Sequence, residues 1–327
     1  TIKQSNNQTI KQSSNQTIKQ SNNQTIKQMF HHQHKMFHSL RRHFFSTKIS
    51  PNIQAIQHEF KHQAKWFETN WDSRSTVSTS TLMDWVQHCL HHHRPLTATD
   101  RVLDVACGTG IFARSVASSV PGINVIGLDA TPEMLDQAQT KINQEHLQNQ
   151  VTLVQGDAAS LPFPDHAFDL VTSRLAIHHF SHPPSIVREM ARVVKPGGRV
   201  VVVDIVSSNV DAHSQEHNRL ETLRDPTHVF AYPVLGLIEL LEKEGGLVVG
   251  KSPNDIPAFE NPMDLSAWMS ATNTPPHAAI KIEQSIATEL KGGTKTGMRP
   301  YYHDDDGSVH FVHQYVTVQA DKKDVGG

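Results

Sequence analysis

Between residues 100 and 206 this chain alternates short apolar runs with longer segments of helical periodicity, and this alternation constrains its fold most. The apolar runs predict five strands: RVLDVA, NVIGLD, VTLVQGD, FDLVTS and RVVVVDIV. The segments between them predict three helices: GIFARSVASSV, TPEMLDQAQTKINQEHL and PSIVREMARVV. Apolar strands between helices are typical of a parallel sheet covered on both faces. Because such crossovers are right-handed, we expect an α/β fold with a doubly wound sheet.

The sequence on either side of this core is less regular. Residues 72–90 predict an amphipathic helix that ends before Pro95. After Val206 we expect a polar lid up to Pro233 and a helix around 235–244. The remaining expectations are a strand at GLVVG, one helix within the proline-rich segment 253–300, and a last strand at HFVHQYVTVQA. No boundary between two folded domains is apparent, so 100–206 is expected to be the core and 207–327 its lid and C-terminal part.

The N-terminal 58 residues differ in composition from the rest of the chain. Residues 1–28 repeat the octapeptide TIKQSNNQ, which is too polar to order itself and predicts a disordered tail or a gene-model extension, with translation from Met29 or Met36. Residues 29–58 contain MFHSLRRHFFSTKIS and no acid, which is typical of a mitochondrial presequence cleaved after Phe45. A basic disordered arm on a cytoplasmic protein is the alternative. Residues 59–99 are expected to form a helical N-terminal segment.

Charge excludes one class of partner. Of the 30 Lys and Arg, eight precede Glu59 and no acid does, so 22 basic residues face all 32 acids from there on, a net charge of −10. Such a surface repels phosphate backbones, so we expect no nucleic-acid partner. The longest apolar run, VVVVDIV, is a strand, and no transmembrane segment is expected. A homodimer and association with a membrane surface are left open.

Neither cysteine nor histidine content predicts a stabilising site. Cys89 and Cys107 are too few for a disulfide framework, which suits a reducing compartment. The 23 histidines are scattered, and the run His91–His93 beside His88 has no Cys/His spacing of a structural metal site. We therefore predict no metal.

The turn VLDVACGTG indicates a nucleotide site at the end of the first strand. Gly108, Gly110 and Ala113 satisfy the dinucleotide pattern G-x-G-x-x-A, and Asp129 follows at about the distance of a ribose-binding carboxylate. Asp104, however, sits near the strand end and would repel a pyrophosphate. A carboxylate there favours the ammonium and sulfonium of S-adenosylmethionine instead.

Asp157, at the end of the third strand, supports the same choice. Its carboxylate is placed to accept a hydrogen bond from the adenine amine, while the amide of Ala158 donates to a ring nitrogen. Any one of Asp104, Asp129 and Asp157 is by itself more often a turn-initiating aspartate. At three consecutive strand ends they cover the amine, the ribose and the adenine in order. We expect Asp129→Ala to abolish cofactor binding and leave the sheet folded, because that strand end should be exposed.

Four segments together resemble the class I S-adenosylmethionine-dependent methyltransferases, specifically the UbiE/YafE-like branch (methyltransferase type 11 domain). The segments are VLDVACGTG, GLDATPEML, GDAASLPFPDHAFD and RVVKPGGRVVVVDI. The resemblance implies a Rossmann-like sheet of seven mostly parallel strands with a C-terminal cover. It also implies further cofactor-binding residues: Ala106, Gly108, Gly110, Ala130 and Ser173. Ala106 departs from the family pattern by replacing the first glycine of the turn, and SRLAIHHF does not match the quinone C-methylases at that point.

In this fold the end of the fourth strand faces the methyl group, so Arg174, His178 and His179 are the predicted catalytic residues. Either histidine has a pKa suited to deprotonating a phenol, enol or thiol, and either could instead be a core or helix-end histidine. Arg174 would bind an acidic oxygen or pair with a carboxylate. Asp204, Asp225 and His228 are expected to line the acceptor pocket, whereas Cys107 is expected to pack inside the turn.

Three functions follow from these observations. The first is methyl transfer to oxygen or carbon of a small-molecule acceptor, quinone-like or phenolic. The second is a mitochondrial assembly or accessory factor that keeps the methyltransferase fold with little or no turnover. The third, an NAD(P)-binding oxidoreductase, is disfavoured by Asp104 and Asp157.

Overall fold

A computed structural model describes residues 95–324 together with Gln54, Gln57, Phe60 and Lys61. The octapeptide repeat, almost all of the presequence and the helix predicted within 72–90 lie outside the described residues. Those interpretations stay predictions.

The described residues are built around one mixed sheet. Its strands are β1 (Arg101–Val105), β2 (Asn124–Asp129), β3 (Val151–Gln155), β4 (Phe168–Arg174), β5 (Val194–Val206), β6 (Ala258–Asp264), β7 (Tyr301–Tyr302) and β8 (Val309–Asp321). The order is β3-β2-β1-β4-β5-β8-β6, and β7 pairs with the start of β8. Strands β1 to β5 are parallel, while β8 runs antiparallel to both β5 and β6. This confirms the predicted fold, with the two-residue β7 as an eighth strand.

Helices cover the sheet on both faces. They are α1 (Ile111–Ser119), α2 (Pro132–Gln144), α3 (Pro183–Val193), α4 (Asp211–Arg224), α5 (Val234–Glu239), α6 (Leu265–Ser270) and α7 (Pro276–Leu290). Helix α5 continues as a π-helical turn over Leu240–Glu244. Thr131 and Pro132 start α2 as the sequence predicts, although the Thr131 hydroxyl makes no capping hydrogen bond.

The continuous apolar character of the strands follows from burial on both faces. In β1, Leu103 and Val105 join a core cluster with α3 residues, whereas Val102 joins the cluster on the opposite face with α1 residues. Successive side chains of a strand point to opposite faces, so both sets must be apolar. The carboxyl ends of β1 to β5 therefore meet at one edge of a well-buried sheet, and that edge carries the site.

The C-terminal part differs from expectation in three places. GLVVG forms only a single bridge between Val248 and Asp321 instead of a strand. The segment 253–300 contains strand β6 and helices α6 and α7, where one helix was expected. The polar stretch expected to be a lid contains helix α4, whose buried face is itself polar and therefore lacks the apolar stripe of an ordinary helix. Its buried residues include Ser214, His217, Asn218 and Glu221.

Helices α4, α6 and α7 form a third cluster over the end of β8. Its largest buried side chains are Trp268, Phe311, Ile282, Ile286, Leu220 and Met298. This cluster is the predicted C-terminal cover. Within the part of the chain that the structure describes, no helix has both the length and the apolar character needed to cross a membrane.

Candidate active site

In the loop after β1, three residues adopt the left-handed backbone conformation, with positive φ. Ala106, Gly108 and Gly110 have φ values of 57°, 54° and 72°. A Cβ on Gly108 would meet no protein atom within 4 Å, while one on Gly110 would lie 3.2 Å from Cβ of Ala138 in α2. Gly108 thus keeps open the space that it faces, and Gly110 allows close packing of the loop against α2. Ala106 adopts a conformation that glycine would adopt without steric cost.

Asp129 ties the ends of β1 and β2 together. Its Oδ2 accepts a hydrogen bond from the amide of Gly108 at 2.8 Å, and its Oδ1 accepts one from the amide of Thr131 at 2.9 Å. The residue is buried, and burial raises the pKa of its carboxyl. The expectation of an exposed strand end is therefore wrong, because this carboxylate is buried and satisfies two backbone amides. The expectation that Asp129→Ala leaves the sheet folded stays a prediction. Asp129 also lines the cavity at this edge of the sheet.

Asp104 is a buried carboxylate at the end of β1, 1% exposed. Thr172 in the adjacent strand β4 donates its hydroxyl to Oδ1 at 3.0 Å. Burial raises the pKa of Asp104 to about 7, opposed by the Thr172 hydrogen bond and by the positive charge of Arg174. The site thus holds a carboxyl that loses its proton readily when a cation is bound beside it.

Asp157 and Ala158 follow β3 at the same edge. Oδ1 of Asp157 accepts a hydrogen bond from the amide of Ala159 at 2.8 Å, which is an aspartate-initiated turn. Asp157 nevertheless lines the same cavity as Asp104 and Asp129. Asp157 therefore both begins a turn and faces the cavity, so the two interpretations of this aspartate do not exclude each other.

These strand ends open into a cavity of about 790 Å³, a volume typical of small-molecule sites. Its first half is lined by predicted cofactor residues: Asp104, Ala106, Gly108, Asp129, Ala130, Asp157 and Ala158. Its second half is lined by Phe60, His178, His179, Arg224, Trp268, His313 and Tyr315. One continuous cavity thus joins the nucleotide end of the sheet to an aromatic and histidine-rich compartment.

His178, just after β4, is held by Asp204 of the neighbouring strand β5. Its Nδ1 lies 2.5 Å from Oδ1 of Asp204, and its backbone amide donates to Oδ2 at 3.2 Å. Burial lowers the pKa of His178, but the charge and hydrogen bond of Asp204 outweigh burial, so the net shift is upward. Among the described residues no hydrogen bond occupies its Nε2. This arrangement leaves Nε2 of a cavity-lining imidazole able to accept a proton.

His179 has a different environment, although its ring centroid lies only 4.1 Å from that of His178. Its Nδ1 lies 3.1 Å from the carbonyl oxygen of Thr227, and its ring packs edge-on against Phe60. Burial, and the neighbouring charge of His178, lower the pKa of His179. Of the two predicted bases, His178 has the geometry and the basicity of a proton acceptor, whereas His179 is a weak base.

Of the other residues that the sequence predicts for the site, some line the cavity and others do not. Gly110 starts α1 behind the cavity, and Arg174 and Asp225 line it. Ser173 does not line the cavity, because strand alternation turns it to the face opposite Thr172 and Arg174. Its predicted contact with the cofactor is therefore not supported by the geometry.

Two residues expected to line the acceptor pocket, Asp204 and His228, stand behind its wall. Asp204 supports His178 from within β5, and Nε2 of His228 lies 2.8 Å from Oδ1 of Asn218 in α4. Cys107 is buried in the turn as expected, and burial raises the pKa of its thiol.

Several cavity residues come from segments that sequence analysis did not assign to the site. Trp268 and Arg224 come from helices of the cover, and the guanidinium of Arg224 lies 4.9 Å from the Trp268 ring centroid. His313 and Tyr315 alternate along β8 and share one face of it. The signal available in the sequence was the period-two pattern of Phe311, His313 and Tyr315 in the last strand.

Comparisons with known proteins agree with this geometry. A family model described as a methyltransferase domain matches residues 103–202. The uncharacterised methyltransferase YcgJ of Bacillus subtilis is 42% identical over 193 residues, which cover 59% of this chain and 72% of YcgJ. The uncharacterised protein YafE of Escherichia coli is 35% identical over 170 residues, which cover 51% of this chain and 79% of YafE.

A relative with a named substrate and a solved structure extend the comparison. The demethylmenaquinone methyltransferase of Deinococcus radiodurans is 32% identical over 187 residues, 53% of this chain and 66% of that protein. The crystal structure of YcgJ matches with a TM-score of 0.65 and 28% identity, over 76% of this chain and all of YcgJ.

This chain belongs to the class I S-adenosylmethionine-dependent methyltransferases, in the branch that contains YcgJ and YafE. It is an enzyme whose methyl donor is S-adenosylmethionine. The residues present fit that molecule: Asp104 offers a buried carboxylate for its ammonium, and the open space at Gly108 allows close approach to the backbone.

Proposed function

We propose that this methyltransferase methylates an oxygen or carbon of a small ring compound bearing an acidic hydroxyl, of the quinol or phenol class. The observation that carries the proposal is His178 in the wall of the cavity, with its Nδ1 held by Asp204 behind that wall and its Nε2 available. A base is needed only where the acceptor must lose a proton, as a hydroxyl does. The aromatic side chains of Phe60, Trp268 and Tyr315 favour an apolar ring in the same compartment.

The roles of the residues follow from this pairing. Asp204 holds the His178 ring in one orientation and stabilises its protonated form. Nε2 of His178 takes the hydroxyl proton of the acceptor, which leaves an oxyanion or a conjugated carbon nucleophile. The aromatic wall holds the ring and excludes water, so the nucleophile is oriented rather than solvated.

The strand ends would hold the methyl donor, which supplies an electrophilic methyl group on a sulfonium sulfur when it is bound. We propose that Asp104 receives its ammonium, Asp129 its ribose hydroxyls, and Asp157 with the amide of Ala158 its adenine. Ala106, Gly108 and Ala130 line the same part of the cavity as these carboxylates. Arg174, beside Asp104, would orient acidic oxygens at the junction of the two halves.

The relatives support the class of acceptor. The demethylmenaquinone methyltransferase of Deinococcus radiodurans is 32% identical over 187 residues, and that protein's name specifies a quinone-type substrate. The segment SRLAIHHF, which carries His178, is where this chain departs from the quinone methylase pattern. We therefore propose a hydroxylated aromatic ring of this general kind, with the ring substituents left to experiment.

The test has a binding step and a turnover step. The full-length protein is titrated calorimetrically with S-adenosylhomocysteine and, as a control, with NADH. It is then incubated with S-adenosylmethionine and a panel of quinols, phenols and aliphatic amines, and S-adenosylhomocysteine formation is measured. Turnover of hydroxylated rings supports the proposal.

Three other outcomes contradict the proposal. Binding without turnover on any ring would indicate an accessory protein, and turnover of amines alone would remove the need for His178 as a base. Binding of NADH alone would overturn the assignment of the site. His178→Asn is the diagnostic variant, and His166→Asn, an exposed histidine outside the cavity, is its matched control.

A further inference from the structure

Three metal-ligating side chains meet beneath the wall of the acceptor compartment. His217 and Glu221 lie one turn apart on α4, and His313 lies in the middle of β8. They are 2%, 0% and 4% exposed, and one ligand atom from each lies within 4.8 Å of the others. Of the three, only His313 also lines the cavity.

The distances suit a common ion. Nε2 of His313 lies 2.7 Å from Oε1 of Glu221, and Nε2 of His217 lies 3.5 Å from the same oxygen. Ligand atoms of a tetrahedral zinc site stand about 3.3 Å apart when each bond is roughly 2.0–2.1 Å. The two observed separations bracket that value, so side-chain shifts of a fraction of an ångström would complete the geometry.

The polar groups of this cluster are incompletely satisfied. Both ring nitrogens of His217 are buried and lack a hydrogen-bond partner. Buried polar atoms nearly always have a partner, because an unpaired one has lost its hydrogen bonds to water without replacement. A bound cation would engage one nitrogen of His217 and account for a helix face that buries polar side chains instead of apolar ones.

The charged groups around this cluster have a net negative charge. Nε of Arg224 lies 3.2 Å from Oε2 of Glu221, and its Nη2 lies 3.8 Å from Oδ2 of Asp225. Arg224 therefore contacts the outer carboxylate oxygen of Glu221 and leaves Oε1 to the two imidazoles. With neutral histidines, the two carboxylates and one guanidinium carry a net charge of −1, which attracts a cation.

We propose that His217, Glu221 and His313 bind a divalent transition-metal ion, zinc by preference. Two imidazoles and one carboxylate are ligands that suit zinc, and three protein ligands leave a fourth position for water or a ligand atom. Nδ1 of His313 lies 3.3 Å from the hydroxyl of Tyr315, which would orient the ring as supporting residues do in metal sites. The sequence predicts no metal because the ligands are separated by 92 residues between Glu221 and His313.

The experiment measures binding by the full-length protein after removal of metal with a chelator. Zinc is titrated in competition with a chromophoric chelator, and cobalt is titrated while the visible spectrum is recorded. We expect one tight equivalent of zinc and the intense visible absorption of tetrahedral cobalt. Glu221→Gln and His313→Gln should weaken that equivalent at least 100-fold. His303→Ala should not change it, although His303 lies within 4 Å of carboxylate oxygens of Asp305 and Asp306 on the surface.

The outcomes separate a built site from adventitious binding by a histidine-rich chain. No tight equivalent in the wild-type protein, or one that persists in both glutamine variants, overturns the proposal. Loss of the equivalent in His303→Ala also overturns it, because the ion would then sit on the surface. Circular dichroism checks that each variant is folded. If a glutamine variant fails to fold, the cobalt spectrum of the wild-type protein is the deciding measurement. A spectrum without tetrahedral bands then contradicts the proposed site.

Discussion

Nδ1 of His178 lies 2.5 Å from Oδ1 of Asp204, and this contact joins the ends of two adjacent parallel strands across the wall of the cavity. Asp204 is 1% exposed, so its carboxylate has little solvent to stabilise it and depends on the imidazole and on backbone amides. The pair therefore fixes the ring of His178 and directs its other nitrogen away from Asp204.

The first prediction concerns His178 itself. His178→Asn should lower kcat by about 10²–10⁴-fold, the usual contribution of a positioned general base, without changing the affinity for S-adenosylhomocysteine. The measurement is steady-state turnover beside calorimetric titration, with His166→Asn as the control. Equal turnover in both variants would remove His178 from the mechanism.

The second prediction is a pH profile. His178 accepts a proton only when it is neutral, so kcat should fall with decreasing pH, with a midpoint above the ordinary value of 6.5 because the pKa of His178 is raised in this structure. Asp204→Asn removes the charge that raises this pKa and leaves the burial that lowers it, so the midpoint should move to lower pH. The same variant should lower the high-pH plateau by at least about tenfold, because the ring loses its orienting acceptor. A midpoint that does not move would show that another group controls the profile.

The third prediction concerns Asp104, whose pKa burial raises to about 7. Only the ionised carboxylate attracts an ammonium, so the affinity for S-adenosylhomocysteine should decrease as the pH falls through 7. Between about pH 8 and pH 6 the dissociation constant should rise roughly tenfold, as protonation linkage requires for a group with this pKa. Asp104→Asn should bind weakly and with little pH dependence. A pH dependence retained in that variant would point to Asp129, whose pKa burial also raises.

Much of this site was predictable because its signals are local. Apolar strands followed by Asp104, Asp129 and Asp157 identify three neighbouring strand ends, since consecutive parallel strands end at the same edge. The same logic placed His178 after β4 and Asp204 in β5. Their hydrogen bond was not predicted, because it depends on the rotamer of each side chain and on the turn that follows β4.

The C-terminal cover was less predictable, for a physical reason. Pattern analysis assumes that polar residues face water, whereas α4 buries polar side chains against β8 and its polar sequence resembled a lid. The contact between Glu221 and His313 crosses 92 residues, and no periodicity encodes such a distance. GLVVG is apolar enough for a strand, but among the described residues it pairs only through the single bridge between Val248 and Asp321, at the end of β8.

The fourth prediction tests the structural role of Asp129. Asp129→Ala leaves the amides of Gly108 and Thr131 without their acceptor, so we expect a loss of about 1–3 kcal/mol in the free energy of unfolding as well as weaker cofactor binding. Urea denaturation measures the first effect and calorimetry the second. Asp157→Ala is the matched control, because its carboxylate supports a single exposed turn and its loss should affect binding much more than stability. Equal stability of the two variants would contradict the linking role of Asp129.

The last prediction uses the open space at Gly108. In Gly108→Ala the new Cβ meets no protein atom, so packing is unaffected and only the left-handed conformation, with φ of 54°, is penalised, by about 1–2 kcal/mol. The methyl group would occupy space beside the cavity, and the affinity for S-adenosylhomocysteine should therefore fall by at least tenfold. Gly246→Ala provides the control, since Gly246 has φ of 62°, equally open surroundings and a position outside the cavity. Both variants should lose similar stability in urea denaturation, and only Gly108→Ala should lose affinity. An affinity unchanged in Gly108→Ala would mean that the cofactor does not approach this turn.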